Sequence, residues 1–312
     1  VQTTRTRLTT VPAALTTSTP VALPAITDLG KRPKDKTPES VPFALAMRSQ
    51  TQQMGLWWLD MMALSDHGLT ERMVWFWHGH WATSIQKLNY ALPMYKQNQL
   101  FRTHALGNFN AMTKAMLNDG ALQFWLDGQD NTAKAPNENL GRELMELFVL
   151  GVNRYSEDDV KAISRVLTGY QVEKSSGVVT INQNRRDTSP VTLLGKTGSF
   201  TGDSLTDFLV ARDDCATFIS ERLWYRFISS TETMPTSFSA KKGFATRDIA
   251  TTIQAMAADP SMSDEKYAMV KSPVEWFISA CRALELTPSA LKTQGQLNNH
   301  LDKLGQVPFN PP

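Results

Sequence analysis

NENLGRELMELFVLG, residues 137–151, decides the fold class. Leu140, Leu144, Leu147 and Phe148 recur at helical spacing, Asn137 stands where a capping acceptor belongs, and Gly151 stands where a helix stops. The stretch therefore predicts an amphipathic helix over 138–150, with Asn139, Arg142, Glu143 and Glu146 on a second, polar face. The same signals recur outward in both directions. Thr70 caps a helix through Met73, Phe76, Trp77 and His80, and Pro93 fits the first turn of a helix running to about Gly107. Ser156 with Asp159 reads as a capping box, as does Ser272 with Pro273 and Glu275. Helices are expected over Asp213–Ser229 and Arg247–Ala258 as well. The fold class is mainly α: an irregular multi-helix domain.

Two regions break the helical period. Tyr170–Asn184 alternates around Gly177 with Val178, Val179, Thr180 and Ile181, and reads as a short β-hairpin insertion. Thr188–Gly202, rich in Gly, Ser, Thr and Pro, reads as an ordered loop, so the β insertion covers about 170–200. Residues 1–40 interleave threonine with proline and then carry Lys31-Arg32-Pro33-Lys34. Having no period, they read as an extended arm ahead of a single domain over 41–312.

Composition narrows the classes. Thirty-two basic against 30 acidic residues give no field of one sign, which argues against a nucleic-acid partner. No apolar run approaches the ~20 residues of a spanning helix. Cys215 and Cys281 make at most one bridge and equally suit two inert buried thiols, and without a CxxC a thiolate zinc site is excluded. Trp57, Trp58, Trp75, Trp77 and Trp81 crowd one stretch, where such rings anchor a core or line a ligand cleft. No nucleophile elbow, HExxH, P-loop or dinucleotide fingerprint occurs, and Gly195-Lys196-Thr197-Gly198 reads as a loop.

Three polar stretches hold the candidate site. His78 and His80 lie at i and i+2, so they share a face only if the helix unwinds at Gly79; with His104 they could then hold a transition metal. Arg142 sits four residues from both Glu138 and Glu146, which suits charge-assisted pairing, and Glu143 and Glu146 are the candidate catalytic carboxylates. His78, His80, Arg102, His104, Asn108, Asn137, Glu138, Asn139, Arg142, Glu143 and Glu146 are expected to form one buried polar network. In it a glutamate or asparagine would accept a histidine N–H, because burying such groups unpaired costs several kcal/mol.

MVWFWHGHWATS (73–84), FRTHALGNF (101–109), NENLGRELMELFVLG and SEDDVKAISRVLTGY (156–170) succeed one another in a recognisable order. So do KTGSFTGD (196–203), CATFISERLW (215–224), VKSPVEW (270–276) and LGQVPFNPP (304–312). Together they resemble the bacterial domain of unknown function 1800 family over roughly 41–312. The resemblance implies a secreted or cell-surface protein, often encoded beside an alkaline-phosphatase-like partner, and assigns no catalytic residues. Many members carry His at the position of Phe148, and a His-Asp pair where this chain has Arg186-Asp187.

The leading functional reading is an extracytoplasmic structural or interaction component of a cell-surface or secreted assembly, with a protein partner. One alternative is a metal-dependent hydrolase or oxidoreductase using His78, His80 and His104 with Glu143 or Glu146. Another is a glycan-binding module with Trp57, Trp58 or Trp81 as stacking platforms.

Overall fold

Helix α1 (Ser40–Leu64) is the spine of the molecule, and its second half is buried from Met54 to Ala63. It packs against α2 (Gly68–Trp81), α4 (Ala91–His104), α13 (Pro273–Ala283) and α14 (Gln294–Lys303). A computed structural model describes residues 21–22, 24–66, 68–267 and 269–311. It is 60% helical, with fourteen α-helices and two small antiparallel sheets among the described residues, so the mainly α expectation holds. The threonine-rich stretch over 1–20 lies outside the described residues. The segment after it is irregular and lies along the domain, with Val21 and Ile26 against the core and the Tyr90 hydroxyl donating to Gly30 O at 3.1 Å.

Short helices α3 (Ile85–Leu88), α5 (Phe109–Leu117) and α6 (Gly120–Trp125) continue the chain. Asn108 caps α5, its side chain accepting from Asn110 N and Ala111 N. Helix α2 begins at Gly68, so Thr70 lies inside it rather than capping it. The caps at Ser156 and Ser272 both close with their aspartate or glutamate partner, as expected from the sequence.

The 137–151 stretch is not one regular helix. Asn137 Oδ1 accepts from Asn139 N at 2.9 Å, α7 runs Asn139–Glu143, and the backbone then widens into a π-helical segment over Leu144–Val149. The extra residue in that turn rotates the side chains beyond it around the helix axis. Leu147, expected in the core stripe, is 45% exposed, while Met145 is buried. Gly141 lies where α7 crosses α8 (Glu157–Val166). A Cβ there would approach Ile163 Cγ2 to 2.7 Å and Ser164 Oγ to 2.9 Å.

The hairpin is β1 (Tyr170–Glu173) against β2 (Val178–Ile181), in register Tyr170↔Ile181. Its turn presses on the start of α6, and a Cβ on Gly120 would lie 2.2 Å from Gly177 O. The loop expected over 188–202 contains a second hairpin, β3 (Val191–Leu193) with β4 (Lys196–Gly198), turned at Leu194-Gly195 with both φ positive. Alternation of three residues a side is too short to separate from a polar loop by pattern. Helices α9 (Gly202–Val210), α10 (Asp213–Phe227), α11 (Ser239–Gly243) and α12 (Ile249–Ala258) complete the chain up to α13, and the buried apolar residues form one core from Met54 to Phe309.

Candidate functional site

Helix α2 ends at Trp81 and the chain turns sharply, Ala82 taking φ 39°. Ser84 then caps α3, its hydroxyl accepting from Gln86 N at 3.1 Å and donating to Asn310 Oδ1 at 2.6 Å. Ile85 N donates to Phe309 O at 2.9 Å, which ties the 307–311 segment to this turn across more than 220 residues of sequence. Phe309 itself wedges against Trp58 and His78. From beneath, Thr83 Oγ1 accepts from Gln97 Nε2, which also donates to Asp119 Oδ1 at 2.7 Å. Asp119 caps α6 through Leu122 N, and burial pushes its carboxyl up to about 6 against those hydrogen bonds.

These pieces enclose an open cleft of about 480 Å³, within the range of small-ligand sites. One wall is Ala82, Ser84 and Gln86 with Asn310 and Pro311. Glu143, Leu147 and Phe148 from α7 and the π segment also line the cleft, together with Trp125 and Leu126. Glu143 is half-buried, and among the described residues its carboxylate has no hydrogen bond or ion pair. Burial, then the neighbouring Glu146 carboxylate, push its pKa up, while Arg142 pulls it back. Glu146 is not in the cleft; it accepts from the Tyr155 hydroxyl, whose pKa burial and Glu146 raise to about 12.

The single polar network does not form. Helix α2 stays helical through Gly79, so His78 and His80 leave it on different sides. His78 lies among Trp58, Trp75 and Phe309, and His80 among Phe76, Trp77, Phe109, Phe148 and Phe218. Burial lowers both to about 3, so both are neutral at pH 7. Neither accepts or donates to Glu143 or an asparagine; the N–H of His80 goes to Phe148 O. His104 ends α4 half-buried, its pKa lowered by desolvation. Among the described residues no group of three or more His, Cys, Asp or Glu could hold a metal ion, so the three histidines do not make the expected centre.

The remaining members go to separate places. Arg142 pairs with Glu138, as its spacing suggests, and also with Glu157 across α8, at the surface. Asn139 Nδ2 reaches Asp127 Oδ2 at 3.5 Å, Asn108 caps α5, and Asn137 turns the chain into α7 by accepting from Asn139 N, the N-cap position being Glu138. Arg102 pairs with Glu71, which no sequence motif singles out. Its Nε and Nη2 donate to the two carboxylate oxygens at 2.8 and 2.9 Å, and Trp58 Nε1 donates to the same group. The position of Glu71 inside an apolar α2 was the available signal. Trp57, Trp58 and Trp81 are all buried, which removes them as stacking platforms. Cys215 and Cys281 are free, buried thiols. Asn310, Trp125 and Ser84 had no local signal, because the cleft they line exists only in the tertiary structure.

A family model described as "Protein of unknown function (DUF1800)" matches residues 4–312 of this chain. No curated protein matches, and no solved structure matches. No helix of the described residues is long and apolar enough to cross a membrane.

Proposed function

The chain belongs to the DUF1800 family, and from that premise we propose that it is an exported recognition component of a cell-surface or secreted assembly, binding its partner through the Ser84–Glu143–Asn310 cleft. The observation that carries this reading is convergence. Residues 73–84, 137–151 and 304–312, three of the stretches on which the resemblance rests, meet at this cleft and leave one carboxyl there unpaired. Apolar Leu147 and Phe148 beside Trp125 supply contact area, while Ser84, Gln86 and Asn310 supply orienting polar atoms. The Ser84 hydroxyl donates to Asn310 Oδ1, which fixes both groups as orienting dipoles in the cleft.

The test uses a photo-crosslinking residue at position 147, in source cells, with position 161 on exposed α8 as control. A specific adduct at 147 and not at 161, in an exported fraction, is the expected result; an alkaline-phosphatase-like protein is the first candidate to look for. Equal labelling at both positions, or a chain confined to the cytoplasm, would overturn the proposal.

A further inference from the structure

Glu143 is a half-buried carboxylate without a counterion, although two cations belong to the segments that build the cleft. Both are spent elsewhere. Arg142 Nη1 and Nη2 donate to Glu157 at 2.8 Å each, and Nη2 also reaches Glu138 at 3.1 Å. Lys87 donates to Trp125 O at 2.7 Å and to Asp127 Oδ1 at 2.5 Å. The other lining side chains are uncharged, Ser84, Gln86 and Asn310 presenting neutral dipoles and Trp125 and Phe148 aromatic carbon, with the Lys87 ammonium 6.0 Å from the centroid of the Trp125 ring.

We infer that the cleft takes a ligand bearing a positively charged nitrogen, a primary ammonium or a guanidinium, which pairs with Glu143 while its apolar stem lies along Trp125, Phe148 and Leu147. The inference rests on the cleft being the recognition site and deepens that reading. An unpaired carboxylate in a partly desolvated wall is costly, and a cation from outside satisfies it with a charge-assisted hydrogen bond. Glu146, aimed at Tyr155, adds negative potential close by without competing for the ligand. The chemistry has two sources, a lysine or arginine side chain of a protein segment or a free small amine.

The experiment monitors backbone amide resonances of Gln86, Glu143 and Leu147 in the full chain during titration. The probes are n-butylammonium, ethylguanidinium, uncharged n-butanol, and a capped Ala-Lys-Ala-Arg-Ala peptide. The two cations should shift these resonances and n-butanol should not, with binding weakened at least tenfold in the isosteric Glu143→Gln and unchanged in Asp158→Asn, which removes an exposed carboxylate paired with Lys161. Tighter binding of the peptide than of free amines assigns the ligand to a protein segment, and the reverse order to a small amine; both support the inference. If n-butanol matches the cations, or Glu143→Gln binds as well as the wild type, the cation inference falls while the cleft reading survives. If no probe moves the three resonances, both fall.

Discussion

His80 Nε2 lies 2.9 Å from the carbonyl oxygen of Phe148, joining α2 to the π-helical segment. A carbonyl only accepts, so Nε2 carries the proton and Nδ1 is left bare in an aromatic surround without a partner. The widened turn leaves the Phe148 carbonyl for this contact, and the fold needs the histidine as a neutral donor. His80→Phe keeps an aromatic ring in place but strands that carbonyl, and should cost about 1–3 kcal/mol in urea unfolding. His80→Ala, which also opens a cavity, should cost more. Unchanged stability in His80→Phe would show that the contact is not made.

Stability should depend on pH through these histidines. His78 and His80 titrate near 3 in the fold and near 6.5 when unfolded, so below 6.5 the unfolded chain binds protons that the folded chain does not. Their contribution is fully present above 6.5 and is lost as the pH falls toward 3, by about 1.4 kcal/mol per pH unit for each ring. Asp119 works in the opposite sense. Raised from 3.8 to about 6, it makes the folded state gain stability as the pH falls from 6 toward 4. Urea unfolding between pH 7.5 and 4.5 should therefore show a net loss on acidification. The loss should be shallower in His78→Phe and steeper in Asp119→Asn.

Asp119→Asn also has a prediction of its own at neutral pH. The Oδ1 that accepts from Gln97 and Leu122 is retained by asparagine. The variant should gain on the order of 2 kcal/mol at pH 7.5 and little at pH 4.5. A destabilised variant at pH 7.5 would mean that the carboxylate charge supports the cap.

The Glu71–Arg102 pair is the buried ion pair that the chain cannot lose by halves. Arg102→Met leaves the Glu71 carboxylate buried and should cost about 3–5 kcal/mol. Adding Glu71→Gln should recover part of that loss. Arg142→Ala, removing a pair at the surface, should move the unfolding midpoint far less than Arg102→Met. Equal losses in the two arginine variants would contradict the placement of Glu71.

Gly141→Ala should destabilise although alanine is the better helix former. The added methyl meets Ile163 and Ser164 at the α7–α8 crossing, and overpacking of this kind costs about 1–3 kcal/mol. A stabilised variant, measured by thermal unfolding, would mean that α7 and α8 are further apart.

The sequence by itself determined the helical class, the capped starts at Ser156 and Ser272, and the β1–β2 hairpin around Gly177. It also placed Glu138 and Glu146 equally within reach of Arg142, of which the structure pairs Glu138 and gives Glu146 to Tyr155. Each of these is settled by residues within a few positions of one another, where periodicity, caps and turn chemistry act. Only the tertiary structure decided where the polar groups of different segments would be satisfied. Arg102 could have served Glu143 or Glu146 by charge alone, yet Glu71 lies beside it across α2 and α4, so Glu143 is left facing the cleft. The π-helical widening after Glu143 turned Leu147 outward against its own apolar pattern, and the same segment sets Phe148 on Trp81 and its carbonyl on His80, contacts from distant sequence that no local period encodes. The cleft itself joins residues from 82 to 311. No local pattern encodes it, since its walls are brought together by contacts such as Ser84 with Asn310, whose geometry depends on the whole chain between them.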